Sequence, residues 1–425
     1  MARPPFLPSD ALLPDPYGAH EMPIYQTSTF TFERAAAAAA RFAGEAPGFV
    51  YTRMGNPTVA RWEARVAALE SEGTDREAAA IAFGSGMGAV TAAVLACVEH
   101  GDHVVAVRPL YGGTTELLDA VLPRYGVAVT MVCPGDLPRA LEAAVRRPRT
   151  RLVVVETPAN PTLDIVDLAH AAGVAHSAGA RLLVDNTFAT PVLQQPLGFG
   201  ADLVVHSSTK YLGGHGTVVG GVVVSADRDL LAGRVMQLKN VLGSVPSPFD
   251  AWLLLQGVKT LRLRVERESQ TARRLAAELA QHRLVEWVRY PGLVDDPGHE
   301  VASRQMLGFG AMIAFGIRGG AERGRRFLDA LTVGKRAVSL GCTDTLIEHP
   351  ASMTHAHLSG EERAAAGITD GLIRISVGLE SAEELERDLL GALDAASRPR
   401  RGAAAPSRSR GAGSPRAASP RASRS

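Results

Sequence analysis

DLVVHSSTKYLGGHG, residues 202–216, opens as a short, almost continuously apolar run and closes on a lysine followed by glycines. Such a run reads as a strand buried on both faces. The polar residues just past it then belong at the carboxyl edge of a sheet, where open α/β folds bind their ligands. Lys210 therefore stands at the mouth of a sheet, with Ser207 and Thr209 beside it. Partial burial near another cation favours loss of the ammonium proton, and the free amine can form an imine with an aldehyde. The two hydroxyls suit a nearby phosphate. By itself, though, a Ser-Thr-Lys string also describes an ordinary surface lysine, so the reading needs partners elsewhere in the chain.

Working outward, similar apolar runs recur: HVVAV (103–107), VAVTMV (127–132), RLVVVE (151–156), RLLVD (181–185) and GGVVVS (220–225). Ala-rich stretches alternate with them, the pattern of a parallel sheet covered by helices. The segments after three of these runs, TPANP, DNTF and HSSTK, should converge on one crevice. Asp185, in DNTF, ends an apolar strand, and a carboxylate is costly to bury there unless a cation meets it. The alternative is an Asp that caps the next helix. FGSGMGAV (83–90) places glycines and Ser85 at a helix start, where free N–H groups and the helix dipole favour an anion. It has neither the GxGxxG nor the GKS/GKT spacing of nucleotide-binding loops.

The chain has 425 residues, which predicts more than one core. Residues 1–60, rich in Pro, Gly and Tyr, read as an extended arm; 61–250 carry the sheet. Residues 251–396 change texture, with the helical DAWLLLQGVKTLRLRVERESQTARRLAAELAQH leading to isolated strands AMIAFGI (311–317) and LIRISVG (372–378), a smaller α+β domain. From 397 to 425 the chain holds eight Arg and no acid, and its Ser/Pro/Gly/Ala composition predicts disorder. Without those arginines the body has 37 basic and 44 acidic residues, a net charge of −7. With no aromatic interleaving in the tail, nucleic acid is not expected as a partner. The three cysteines are widely spaced, and no apolar run suits a signal peptide or a membrane span. A cytoplasmic protein without membrane contact is the expectation. His206, His215, His349, His355 and His357 fit no zinc spacing, so no metal is expected.

Many ordered motifs then carry a resemblance: PIYQTSTF, YTRMGNPT, SGMGA, LYGGT, ETPANP, VDNTF, HSSTKYLGGHG, SPFD, GVKTL, SLG, EHPASMTH and RISVGLE, over roughly residues 20–395. In these the chain resembles the Cys/Met-metabolism enzymes that depend on pyridoxal 5'-phosphate (PLP). The resemblance implies the fold type I of PLP-dependent transferases. That is an α/β fold with a mostly parallel seven-stranded sheet, helices on both faces, and a smaller C-terminal α+β domain. It implies that Lys210 holds PLP as a Schiff base and later moves protons, and that Asp185 pairs with the pyridinium nitrogen. Tyr111 is implied to stack on the ring with its hydroxyl near the leaving group, and Asn160 to bond the ring's phenolic oxygen. Gly86, Met87, Ser207 and Thr209 would hold the phosphate, while Tyr51 and Arg53 would reach the phosphate in a neighbouring subunit. Arg374, helped by Ser339, would clamp the substrate carboxylate. A site completed by a neighbour implies a homo-oligomer, at least a dimer; the family is typically tetrameric.

Within the family, Val338 replaces the Glu that cystathionine-using relatives usually carry, and an apolar residue suits a methyl thioether better than a distal ammonium. The surrounding AVSLG and EHPASMTH resemble methionine γ-lyase. Two positions depart from it: Gly113, where those lyases usually have Cys, and Asn240 after Lys239, where they have Asp. Cys342, four residues from Val338, is no substitute for the missing cysteine. The expected reaction is γ-elimination from methionine, homocysteine or a related amino acid to 2-oxobutanoate, ammonia and a thiol. Cystathionine γ-lyase and γ-replacement (cystathionine γ-synthase or O-acyl-homoserine sulfhydrylase) are the alternatives. A non-catalytic PLP scaffold is the rival from another class, disfavoured by the intact set Lys210, Asp185, Tyr111 and Arg374. Lys210→Ala should fold normally yet lose both the imine absorbance and turnover, measured by visible spectroscopy and a keto-acid assay.

Overall fold

The computed structural model describes residues 17–133, 137–354, 356, 359–365 and 367–397. The expected tail from 398 onward, the first sixteen residues of the arm, and His355 and His357 lie outside them.

Seven strands form the large sheet: β1 (Ala79–Phe83), β2 (His103–Val107), β3 (Ala128–Val132), β4 (Thr150–Glu156), β5 (Arg181–Asp185), β6 (Leu203–Ser207) and β7 (Gly221–Ser225). Their order is β1-β7-β6-β5-β4-β2-β3. The β2–β3, β2–β4, β4–β5 and β5–β6 pairs are parallel, and β7 runs antiparallel to both its neighbours. Alternate residues of each strand enter two apolar layers. Val153, Val184 and Val204 face one side with Trp62 and Val66; Val154, Leu183 and Val205 face the other with Val90 and Val94. Both faces are covered, which is why the strands read as unbroken apolar runs. The fold is α/β with a mostly parallel sheet, as the motifs implied.

The helix α1 (Ala35–Ala43) is a departure from the extended arm: six consecutive alanines favour a helix even with no side chain buried. α2 (Pro57–Ser71) crosses the expected boundary at residue 60, capped by the Asn56 side chain on Thr58 N–H and started by proline. α3 (Gly86–Cys97) follows β1. The expected long helical stretch after 250 is two helices, Pro248–Val258 and Leu261–Gln281, parted at Lys259 and Thr260.

The second sheet comprises β8 (Val285–Arg289), β9 (Met312–Ile317), β10 (Lys335–Arg336), β11 (Leu346–Glu348) and β12 (Leu372–Ser376). Its order is β10-β11-β12-β9-β8, antiparallel except for β10–β11. The two strands expected to be isolated are neighbours, with Arg374 opposite Ala314. On the other side Arg374 stands directly opposite Glu348 of β11.

One backbone approach sets the turn before α3. Gly221, the first residue of β7, lies so near Ser85 that a Cβ there would come within 2.2 Å of the Ser85 carbonyl oxygen. Gly221→Ala must therefore push the Ser85–Gly86 turn away from the sheet. We expect a loss of about 2–4 kcal/mol in stability, read by denaturant unfolding, with weaker PLP retention read by dialysis and absorbance.

Candidate active site

The carboxyl ends of β4, β5 and β6 bring the ETPANP, DNTF and HSSTK segments together. Glu156 and Asp185 are cross-strand partners on adjacent strands, and Asp185 is paired with Val205, two residues before Ser207. Lys210 follows in a turn whose amide donates to the Ser207 carbonyl at 3.1 Å.

The Lys210 ammonium donates to Ser339 Oγ at 2.9 Å. Burial, and then the nearby Arg374 guanidinium, hold its pKa below the ordinary lysine range; Glu348 and Cys342 oppose that shift. Ser339 has φ +80°, a left-handed conformation that a side chain rarely adopts. That conformation lets one residue serve two cations, because Arg374 Nη2 donates to its carbonyl at 2.7 Å. Arg374 Nη1 donates to Asn160 Oδ1 at 2.7 Å and lies 3.0 Å from Glu348 Oε1. Since the Asn160 carbonyl oxygen accepts, its NH2 group is left to donate to a ligand oxygen.

Glu156 joins the other two loops. Its Oε1 accepts from the Asn160 amide at 2.8 Å and its Oε2 from the Tyr111 amide at 2.7 Å. Burial first, and the neighbouring Asp185 second, push its pKa up to about 8. Asp185 is likewise raised by burial, although Thr187 donates to Oδ1 through both its amide, at 3.0 Å, and its hydroxyl, at 2.5 Å. The Thr187 hydroxyl oxygen in turn accepts from Ser207 N–H at 2.9 Å. Ser85 Oγ accepts from Gly88 N–H at 3.0 Å, which leaves the N–H groups of Gly86 and Met87 at the start of α3 without an acceptor. Those N–H groups adjoin Ser207: a Cβ on Gly86 would come 2.8 Å from Ser207 Cβ. Thr209 is tied to Gly220, accepting from its amide at 3.0 Å.

These residues fit PLP on three independent grounds. Two adjacent buried carboxylates hold their protons too tightly and lack one positive charge, which a protonated ring nitrogen supplies. A desolvated lysine stands in the turn after the next strand, and a helix start with two N–H groups free among the described residues, and a serine beside them, offers a phosphate seat. Lys210, Asp185, Asn160, Tyr111, Ser207, Gly86, Met87, Arg374 and Ser339 thus gather in one place. Tyr51 and Arg53 do not join that cluster. Arg53 Nη1 donates to the Asn240 carbonyl at 3.0 Å and its guanidinium lies 5.5 Å from the Tyr51 ring centre, both side chains being exposed. Val338, beside Ser339, is half-exposed at 51%. Glu156, Thr187 and Glu348 were not expected from the sequence. Glu156 carries the signal that marked Asp185, an acid closing an apolar strand, and so could have been found. Of the histidines, His206 meets Glu70 at 2.5 Å, and His349 meets Ser352 and the Asp370 carbonyl at 2.8 Å each.

Fold and site together define a PLP-dependent enzyme. The family model described as Cys/Met metabolism PLP-dependent enzyme matches residues 10–394, and the chain belongs to that family. It is 48% identical over 374 residues to an L-methionine gamma-lyase of Fusobacterium nucleatum subsp. polymorphum, covering 88% of this chain and 93% of that protein. It is 46% identical over 380 residues to an O-succinylhomoserine sulfhydrylase of Pseudomonas aeruginosa, covering 88% and 91%. A crystal structure of cystathionine gamma synthase from Xanthomonas oryzae pv. oryzae in complex with cystathionine superposes with a TM-score of 0.83 at 42% identity, covering 90% and 94%.

The sign of the Glu156 shift makes a prediction about the cofactor-free protein. A carboxyl whose folded pKa is raised favours folding most below its unfolded value of 4.5 and loses that contribution as pH rises through about 8. The melting temperature of PLP-free protein should fall across that window, and Glu156→Gln should flatten the fall in a calorimetric pH series.

Proposed function

We propose that this chain is a PLP-dependent carbon–sulfur lyase that converts methionine, homocysteine or a related γ-substituted amino acid, with water, to 2-oxobutanoate, ammonia and a thiol. The observation that carries this reading is Val338. It is an exposed apolar residue next to Ser339, whose hydroxyl meets Lys210 and whose carbonyl meets Arg374. A γ-thioether lying along the site would meet a hydrocarbon surface there, and a distal ammonium would find no partner in that side chain.

Bound PLP supplies an electron sink that makes protons near the amino-bearing carbon acidic. The chain's own groups do the rest. Arg374 receives the substrate carboxylate in a forked pair, and Ser339 orients both Arg374 and Lys210. Lys210, its pKa lowered by burial, takes the Cα proton and then moves protons along the substrate. The Tyr111 hydroxyl, on a half-exposed ring, protonates the departing sulfur. Asp185 would pair with the ring nitrogen and the Asn160 NH2 with the ring oxygen, and Gly86, Met87, Ser207 and Thr209 would hold the phosphate.

Tyr51 and Arg53 act in trans, on the phosphate of a neighbouring subunit, in a homo-oligomer of at least two and typically four chains. Their exposure in one protomer supports this assignment. A cytoplasmic setting is supported by three cysteines that form no disulfide.

The purified enzyme given methionine, homocysteine and cystathionine separately should release 2-oxobutanoate and thiol from the first two at the highest kcat/KM. Thioether synthesis from an O-acylhomoserine plus a thiol, with no keto acid from any thioether, would replace this reading by γ-replacement. The sulfhydrylase relative makes that the reading to test against.

A further inference from the structure

Arg374 does not face the site alone. Glu348 stands opposite it on β11, and the two side chains meet at 3.0 Å, 1% and 5% exposed. Neither Glu348 oxygen receives a hydrogen bond, and Arg374 Nε has no acceptor. A carboxylate buried this completely, with no hydrogen-bond donor, is held in place by the guanidinium charge beside it. Among the described residues no other acid is ion-paired with Arg374; the other two contacts of its fork are neutral acceptors, Asn160 Oδ1 and the Ser339 carbonyl.

We propose that Glu348 is the resident counter-ion of Arg374 and sets how tightly the site holds a substrate α-carboxylate. The inference rests on the reading of Arg374 as the carboxylate clamp. Glu348 fixes the guanidinium through Nη1, and the Nε–H has no acceptor among the described residues. An arriving carboxylate then meets a cation already half-compensated, and feels the like charge of Glu348 behind it. Binding is weaker than an uncompensated arginine would give, and the carboxylate of the keto-acid product leaves more readily. Glu348 acts through Arg374 and is a positioning residue. Its charge also reaches Lys210, which faces Arg374, Glu348 and Cys342; with Cys342 it opposes the lowering of the Lys210 pKa by burial and by Arg374.

The test uses holoenzyme and L-norleucine, a methionine isostere with no sulfur to eliminate, titrated through the cofactor's visible absorbance. Glu348→Gln keeps the shape and removes the charge. Its Kd for L-norleucine should fall on the order of three- to tenfold, the size of one partly screened charge interaction. The pH midpoint of the cofactor absorbance without ligand should move to lower pH, KM should fall, and kcat should not rise. Glu348→Asp, which keeps the charge, should remain within about twofold of the wild type. Should Glu348→Gln not fold, Glu348→Met removes the same charge and carries the same expectation. An unchanged or raised Kd, with an unchanged absorbance midpoint, would overturn the proposal while Arg374→Ala still abolishes L-norleucine binding. If Arg374→Ala leaves that Kd unchanged, the clamp reading itself fails, and the proposal with it.

Discussion

The site depends on Ser339 being able to face two ways. Its hydroxyl accepts from the lysine in the turn after β6, and its carbonyl accepts from the arginine of the second sheet. Ser339 makes both contacts from a backbone of positive φ. Through it, a nitrogen donor from one sheet and a guanidinium from the other are held in fixed relation with no direct bond between them. Two cations kept this close lower the proton affinity of the weaker one, so the geometry that joins the sheets also prepares the lysine for its chemistry.

Charge balance governs the other side of the site. Glu156 and Asp185 end neighbouring strands, and the parallel register leaves them no way to avoid each other. Glu156 offsets its burial by accepting two amides, and those amides belong to the loops of Tyr111 and Asn160. A cluster of buried acids is thus also the clamp that spaces Tyr111 and Asn160. Behind the sheet, His206, Glu70, Asn186, Gln194 and Gln305 form a buried polar chain that ties α2, β6 and the helix His299–Gln305 together. Apart from Asn186–Gln194, eight residues apart, each link is a contact between distant parts of the sequence.

Much of this could be read from the residues alone. The buried strands announced themselves through unbroken β-branched runs, and the polar segments after them marked the crevice. β1 escaped because AAIAF is mostly alanine, which carries no strand signal. The strands β10 and β11 escaped because two or three residues cannot show a period. Asp185 was legible since an acid at the end of an apolar run needs a partner; Glu156 satisfied the same rule and was passed over. Ser339 was legible only through the motif around it, for nothing in a serine's identity reveals its φ. Glu348 could not be singled out at all, because its meaning comes from the cross-strand pairing with Arg374, a contact 26 residues away in sequence.

The cysteines give the fold a chemical property of their own. An enzyme that liberates a thiol works beside a reagent able to exchange with any reactive sulfur nearby. Cys342 lies four residues from Val338, yet it is buried, and burial raises its pKa. Cys97 is pushed up to about 12 by burial. Neither presents a thiolate to capture or be captured by oxidised product. With glycine at 113, the wall beside Tyr111 carries no thiol, only the thioether of Met87. Burial therefore disfavours the thiolate that mixed-disulfide formation needs at both of these cysteines.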